Sequence, residues 1–206
     1  MGRCQIVELL PQNPNGQTLE RIANVLKQGG VVIYPTDTLY GIGCDMGNPK
    51  AVERIVKIKG LRPKEARLSL ICNELSQIAQ YAKVSNTAFR LMKRTLPGPF
   101  TYILPGLHHV PVQMADRRRY VGVRIPNNRI ALSLVELLGR PLASSSAKLP
   151  ADSGQYVIEP YELYEHYQEL VDMVIDAGPG LDEPSTVVDC TGDAPEIIRQ
   201  GLGTID

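Results

Sequence analysis

The residues best suited to chemistry lie between Tyr34 and Gly43, where the sequence reads YPTDTLYGIG. The hydroxyls of Thr36 and Thr38 flank the carboxylate of Asp37. Such a loop offers hydroxyl and amide donors to a carboxylate or phosphate, while Asp37 can bind an amine or hold the loop. A turn in which these side chains bond only to the local backbone fits the residues alone equally well.

A short apolar run, Val31 to Ile33, precedes this stretch and follows Gly29-Gly30. Its β-branched residues predict a buried strand. In open α/β sheets, ligands bind beyond the carboxyl ends of strands. The polar stretch is therefore predicted to lie at a ligand-binding edge of a sheet.

Elsewhere the apolar periodicity predicts helices and strands in alternation. Helices are expected at 17–28, from Asn48-Pro49 onward, at 74–81, after Ser85, at 128–138 and at 160–170. Strands are expected at 31–34, 68–72, 100–104, 120–125, 141–144, 173–175, 186–189 and 196–199. The pattern contains no internal repeat and no low-complexity linker, and it predicts a single mixed α/β domain over residues 1–206.

Charge is balanced overall but unevenly distributed along the chain. The formal net charge is zero, yet residues 50–67 and residues 113–148 each contain seven basic side chains. Residues 151–196 contain twelve acidic side chains and no Lys or Arg. This segregation favours a basic face for an anionic partner, either a nucleotide or a nucleic acid.

Composition argues against several other classes of protein. Four cysteines without paired spacing and three histidines do not predict a zinc site, and we expect buried, reduced thiols. No apolar run approaches the roughly 18 residues of a membrane span, and the N-terminus lacks a signal-peptide pattern. We therefore expect a soluble cytoplasmic protein. The phosphate-binding Walker loop, the dinucleotide fingerprint and the hydrolase nucleophile elbow are all absent.

Six ordered motifs resemble the YrdC/YciO-like family over about residues 17 to 203. They are Tyr34 to Gly43, Leu96-Pro97-Gly98-Pro99-Phe100-Thr101, Val123-Arg124-Ile125-Pro126, Ser144 to Lys148, Ser185-Thr186-Val187-Val188-Asp189 and Ile198-Arg199-Gln200-Gly201. The resemblance implies a twisted, open, mixed sheet flanked by helices, with a basic concave surface. It also implies threonylcarbamoyl-AMP synthase activity, in which L-threonine, bicarbonate and ATP with Mg²⁺ give threonylcarbamoyl-AMP and pyrophosphate. The threonylcarbamoyl group is later placed on adenosine 37 of certain tRNAs.

The resemblance also implies roles for individual residues. On the threonine side they are Thr36, Thr38, Arg124 and Ser185, and on the nucleotide side Lys59, Arg62, Ser146, Lys148 and Arg199. The bidentate guanidinium of Arg124 suits a carboxylate. The implied reaction needs no covalent intermediate with the protein, and no protein side chain is assigned as a catalytic residue or a metal ligand.

Three positions depart from the synthase pattern and are closer to the YciO-type branch of the family. The synthases read Lys-x-Arg-Pro where this chain has one extra residue between Lys59 and Arg62. Lys148 replaces an asparagine, and Arg67 replaces a proline. These departures leave a second hypothesis open: a nucleotide- or RNA-binding protein, associated with tRNA, double-stranded RNA or ribosomes, that does not turn over ATP.

Overall fold

All ten strands that the structure describes belong to one sheet. The computed structural model describes residues 4–62, 66–108, 110–111, 114, 119–147, 156 and 158–205. The strands are β1 (Gln5–Glu8), β2 (Val32–Tyr34), β3 (Gly41–Asp45), β4 (Ser69–Ile71), β5 (Phe100–Pro105), β6 (Tyr120–Arg124), β7 (Leu142–Ser146), β8 (Met173–Asp176), β9 (Thr186–Asp189) and β10 (Glu196–Arg199). The helices are α1 (Gly16–Lys27), α2 (Pro49–Ile58), α3 (Leu75–Ala79), α4 (Asn86–Thr95), α5 (Arg129–Leu138) and α6 (Pro160–Tyr167).

The strand order is β1-β8-β2-β3-β7-β4-β6-β5-β9-β10. Parallel pairs, such as β4 with β6 and β5 with β9, occur beside antiparallel pairs, such as β3 with β7. This arrangement confirms the predicted open, mixed sheet flanked by helices. No helix in the described ranges is both long and apolar enough to cross a bilayer.

Helices α2 and α4 begin, and α5 ends, where the sequence predicted. The side chains of Asn48 and Ser85 accept hydrogen bonds from the backbone amides of Ala51 and Ala88, at 3.2 Å in each case. These bonds satisfy amides that have no partner within the first helical turn. Helix α5 ends at Gly139, whose φ of 72° lies in the left-handed region that glycine adopts without strain.

The two faces of the sheet are covered to different extents. On one face the buried apolar residues of α2, α3, α4 and α6 pack against strand residues such as Ile42, Tyr102 and Val123. On the other face α1 and α5 cover Val32, Tyr34 and their neighbours. The described helices leave the middle of this second face uncovered, and the candidate site lies there.

Two observed strands, β1 and β3, were not predicted from the sequence. In β1 only Val7 is buried, so the alternation that signals a strand is weak. The second half of the Tyr34–Gly43 stretch was predicted as loop, but Gly41 to Gly43 begin β3. Two glycines disfavour a strand when read locally. The serines at 145 and 146, predicted as loop, also belong to a strand, β7.

The glycines of β3 make room for the ring of Tyr34. A Cβ atom on Gly41 would lie 2.7 Å from Cζ of Tyr34, and one on Gly43 would lie 2.8 Å from Cε1. Both distances are shorter than real Cβ contacts allow. Because Tyr34 is fully buried, its ring cannot move aside without disturbing the core. Close packing, not a turn, therefore requires glycine here.

The four cysteines are free and buried, as predicted. Burial raises the pKa of the Cys4 and Cys190 thiols to about 11. Burial also raises the pKa of Cys44 and Cys72. All four thiols therefore remain protonated and weakly nucleophilic at neutral pH.

We predict that Gly41→Ala lowers the free energy of unfolding by about 1–3 kcal/mol, the usual cost of overpacking a well-packed core. Urea unfolding followed by circular dichroism measures the change. Gly192→Ala is the matched control, because a Cβ atom there meets nothing within 4 Å. Equal stability of the two variants would contradict the packing role of Gly41.

Candidate functional site

The loop between β2 and β3 is held by Arg124, at the end of β6. Its Nη2 donates to Asp37 Oδ1 in a buried ion pair and to Thr38 Oγ1 at 2.8 Å. A longer contact of 3.4 Å reaches Thr36 Oγ1. Thr36 Oγ1 in turn donates to the carbonyl of Leu39 at 2.7 Å and accepts from the amide of Thr38 at 3.0 Å. Asp37 thus orients the loop through Arg124.

Two atoms of this cluster are buried without a hydrogen-bond partner among the described residues. They are Nε of Arg124 and Oδ2 of Asp37. An unsatisfied buried donor or acceptor typically costs about 1–3 kcal/mol. The cluster therefore carries a desolvation cost that its ion pair and hydrogen bonds must offset.

The uncovered face of the sheet forms the floor of a cavity of about 380 Å³ beside this cluster. Strand register places the floor residues side by side. Ser69 of β4 lies between Ser144 of β7 and Gly122 of β6, and Ile103 of β5 lies opposite Gly122. Most of these side chains are small, so the floor leaves space above the sheet. A Cβ atom on Gly122 would lie 2.8 Å from Ser69 Oγ.

Tyr34 and Ser144 join the floor to the neighbouring core. The Tyr34 hydroxyl lies 2.6 Å from Ser144 Oγ, which donates to the carbonyl of Ile42 at 3.2 Å. Tyr34 is therefore the donor to Ser144. Burial raises the pKa of Tyr34 to about 12, so the phenol stays protonated at neutral pH. The pair fixes the hydroxyl-bearing floor without adding charge.

Arg199 and Ser185 form the far wall of the cavity. Nη2 of Arg199 donates to the carbonyl of Ser185 at 2.8 Å and approaches Ser185 Oγ at 3.3 Å. Ser185 Oγ also lies 2.9 Å from Thr101 Oγ1. These contacts hold the guanidinium against the wall, and both Arg199 and Ser185 line the cavity.

A β-bulge in β10 decides which face Arg199 occupies. Ile197 pairs with Val188, but Arg199 pairs with Val187, so β10 advances two residues against one of β9. Val188 packs in the core, whereas Val187 lines the cavity. In a regular strand pair Arg199 would share the face of Ile197, since side chains two residues apart point the same way.

Two of the predicted nucleotide-side residues, Ser146 and Lys59, lie together at another edge of the cavity, whereas Arg199 lies on the wall with Ser185. Ser146 lines the cavity, and its carbonyl accepts a hydrogen bond from Lys59 Nζ at 2.9 Å. Arg62 is exposed and is not among the residues that line the cavity. Lys148 lies outside the described residues. The roles predicted for these side chains remain predictions.

On the predicted threonine side, Thr36, Arg124 and Ser185 all line the cavity. Thr38 is only 1% exposed and lies behind Arg124, where its hydroxyl supports the guanidinium. The structure therefore brings all four predicted residues to one region, three of them at the cavity surface.

Other cavity residues were not predicted as site residues. Arg67, Ser69 and Thr101 line the cavity. The available signal was the alternation of Arg67, Leu68, Ser69 and Leu70, which puts the polar side chains on one face of an extended chain.

The charged lining of the cavity is basic. Its described lining includes Arg67, Arg124 and Arg199 and no acidic residue. The described residues also contain no group of three or more His, Cys, Asp or Glu side chains arranged to hold a metal ion. The lining thus suits an anionic ligand better than a bare cation.

Comparison with known sequences identifies close relatives. A family model for Sua5, YciO and YrdC proteins, described as "Telomere recombination", matches residues 24–201. An uncharacterized protein of Haemophilus influenzae is 39% identical over 201 residues, which covers 97% of each chain. A threonylcarbamoyl-AMP synthase of Pyrococcus abyssi is 33% identical over 181 residues, covering 87% of this chain and 52% of the synthase.

Solved structures agree with these sequence matches. The crystal structure of Escherichia coli YciO has a TM-score of 0.91 and 37% identity, covering 98% of this chain and 97% of YciO. P. abyssi Sua5 in complex with L-threonine has a TM-score of 0.87 and 30% identity, covering 95% of this chain and 57% of Sua5. The sequence resemblance is confirmed, and the chain belongs to the Sua5/YciO/YrdC family.

Proposed function

We propose that the cavity binds L-threonine, bicarbonate and ATP and forms threonylcarbamoyl-AMP with release of pyrophosphate. The observation that carries this proposal is the cavity lining, which brings Thr36, Arg124 and Ser185 together with Arg199 and contains no acidic residue among the described residues. The guanidinium of Arg124 would donate to the threonine carboxylate. The hydroxyls of Thr36 and Ser185 would contact the same ligand.

Known relatives support the amino-acid side of this proposal. P. abyssi Sua5, which has the same fold, was crystallised with L-threonine. A P. abyssi relative is a threonylcarbamoyl-AMP synthase. This chain matches about half of that synthase, whereas it matches nearly the full length of E. coli YciO. The synthase activity is therefore a proposal for this chain.

The proposed chemistry is carbamate formation followed by nucleotidyl transfer. The threonine amine attacks bicarbonate with loss of water, or CO₂ with loss of a proton, and gives N-carboxythreonine. A carbamate oxygen then attacks the α-phosphorus of ATP, forming a P–O bond while the bond to pyrophosphate breaks. The protein would position the reactants and neutralise charge through Arg124, Arg199 and Lys59.

Mg²⁺ would enter as part of the substrate Mg-ATP. Mg²⁺ in nucleotide sites keeps several waters and binds mainly through the phosphates and one or two carboxylates. The described cavity lining offers hydroxyls and guanidinium groups but no carboxylate. These residues fit the phosphates of Mg-ATP and not a protein cage for the metal.

The direct test is an assay of the purified protein with labelled threonine, bicarbonate and Mg-ATP. We expect both pyrophosphate and threonylcarbamoyl-AMP, and neither when threonine is omitted. Chromatography of the labelled product measures turnover. A folded protein that forms neither product would refute the synthase proposal for the isolated chain.

We predict that Arg124→Lys weakens threonine binding by about tenfold or more, since a single ammonium cannot replace a bidentate guanidinium. Lysine retains a positive charge beside Asp37, so the fold is expected to survive. Isothermal titration calorimetry measures the affinity. Arg129→Lys is the control, because Arg129 bonds to the Gln12 carbonyl away from the cavity. Unchanged threonine affinity in Arg124→Lys would remove Arg124 from the proposed site.

A second candidate function is RNA binding, and the solvent face of α4 favours it. Arg90, Lys93 and Arg94 are exposed there, Phe89 is 45% exposed, and α4 contains no acidic residue. Exposed cations bind phosphates, and an exposed ring can stack on an unpaired base. Of the three arginines at 117–119, only Arg119 is among the described residues.

For this candidate we predict that Arg90→Ala/Lys93→Ala/Arg94→Ala weakens tRNA or double-stranded RNA binding. The slope of log K against log salt should also fall by about 0.7–0.9 for each lost phosphate contact. Filter binding at several salt concentrations measures both quantities. Arg21→Ala/Lys27→Ala/Lys50→Ala, which removes three exposed cations from α1 and α2, is the control for net charge. Identical slopes for the α4 variant and wild type would exclude α4 as an RNA contact.

A further inference from the structure

Arg67 occupies the cavity face although it precedes the first residue of β4. Leu68 and Leu70 are buried in the core on one side of the sheet. Arg67, Ser69 and Ile71 line the cavity on the other side. The extended alternation therefore continues to Arg67 and directs its side chain toward the cavity.

Arg67 and Arg124 lie at opposite ends of the cavity floor. Ile71 pairs with Arg124, and Arg67 precedes Ile71 by four residues. At about 3.3 Å per residue, this places the Cα of Arg67 roughly 13 Å from the Ile71–Arg124 level. Ser69 pairs with Ser144 in antiparallel register, so Arg67 continues toward Ser146.

A second cation and a hydroxyl accompany Arg67 at that end. Ser146 lines the cavity, and Lys59 Nζ donates to its carbonyl at 2.9 Å. Arg67 and Ser146 therefore line this end of the floor, and the ammonium of Lys59 lies beside them at the Ser146 carbonyl. A ligand that reaches from Arg124 to this edge would meet cations at both of its ends.

The three arginines of the cavity differ in the hydrogen-bond and ion-pair partners of their guanidinium groups. Arg124 is paired with Asp37, and Arg199 is held by the carbonyl of Ser185. Arg67 has neither a hydrogen bond nor an ion pair to another residue within the described parts of the chain. It is exposed, so its guanidinium is available to a ligand.

We propose that Arg67 binds the polyphosphate chain of the nucleotide, at the end of the cavity opposite Arg124. The proposal rests on the proposed function, because it assigns one end of the same substrate to Arg67. A guanidinium matches two phosphate oxygens at once, and hydroxyls such as that of Ser146 add neutral donors. The cavity then holds the amino-acid carboxylate at one end and the polyphosphate at the other.

The test is calorimetric titration of wild type, Arg67→Ala, Arg67→Lys and Arg21→Ala with inorganic tripolyphosphate and, separately, with L-threonine. We expect Arg67→Ala to weaken tripolyphosphate binding about tenfold, the loss of one charge-assisted contact at an exposed site. Arg67→Lys should restore part of the affinity. Threonine affinity and the melting temperature should match wild type, since Arg67 is remote from Arg124 and makes no contact that stabilises the fold. Arg21→Ala removes the same charge from the exposed side of α1, away from the cavity, and should bind tripolyphosphate like wild type.

Three results would overturn the proposal. They are wild-type protein that does not bind tripolyphosphate, unchanged tripolyphosphate affinity in Arg67→Ala, and an equal loss of affinity in Arg67→Ala and Arg21→Ala. These measurements do not depend on turnover. If wild type makes no threonylcarbamoyl-AMP but Arg67→Ala still weakens tripolyphosphate binding, the proposed function fails and the assignment of Arg67 stands. If turnover occurs and Arg67→Ala binds tripolyphosphate normally, the proposed function stands and the assignment of Arg67 fails.

Discussion

The buried ion pair between Arg124 and Asp37 connects two parts of the fold that are distant in the sheet. Asp37 lies in the loop between β2 and β3, and Arg124 ends β6, with β7 and β4 between them. The two side chains are 10% and 12% exposed. Removing either partner would leave a buried charge without compensation, which typically costs about 3–5 kcal/mol. The pair therefore fixes the loop, and with it Thr36 and Thr38, against the cavity.

This arrangement is possible because one face of the sheet is only partly covered by helices. An exposed sheet face must carry residues that tolerate solvent, and here it carries serines, glycines and threonines in register. The same small side chains leave the volume that a ligand would fill. The opposite face has no such freedom, since residues such as Ile42, Leu70 and Val123 are fully buried there. One face of these strands thus packs the core and stabilises the fold, while the other face is open to a ligand.

The sequence predicted the features that depend on neighbouring residues. The helix starts after Asn48 and Ser85 and the helix end at 138 depend on residues within one helical turn, and all three were expected. Motif resemblance identified the family. The structure then brings three of the residues predicted for the threonine side to one cavity. The sequence could not predict β3, because its glycines respond to Tyr34 on the neighbouring strand. Nor could it predict the cavity position of Arg67, which depends on how β4 pairs with β6 and β7.

The bulge in β10 shows how one backbone residue can set the chemistry of a surface. Arg199 reaches the cavity because the strand register shifts by one residue between Ile197 and Arg199, and not because of its residue type. The bulge in this short segment is therefore a functional property of the chain, because it decides which face of the sheet Arg199 occupies. Among relatives, an arginine aligned with Arg199 is equivalent to it only if its strand carries the same bulge. The same sequence paired with β9 in regular register would place Arg199 on the core face, while every motif letter stayed the same.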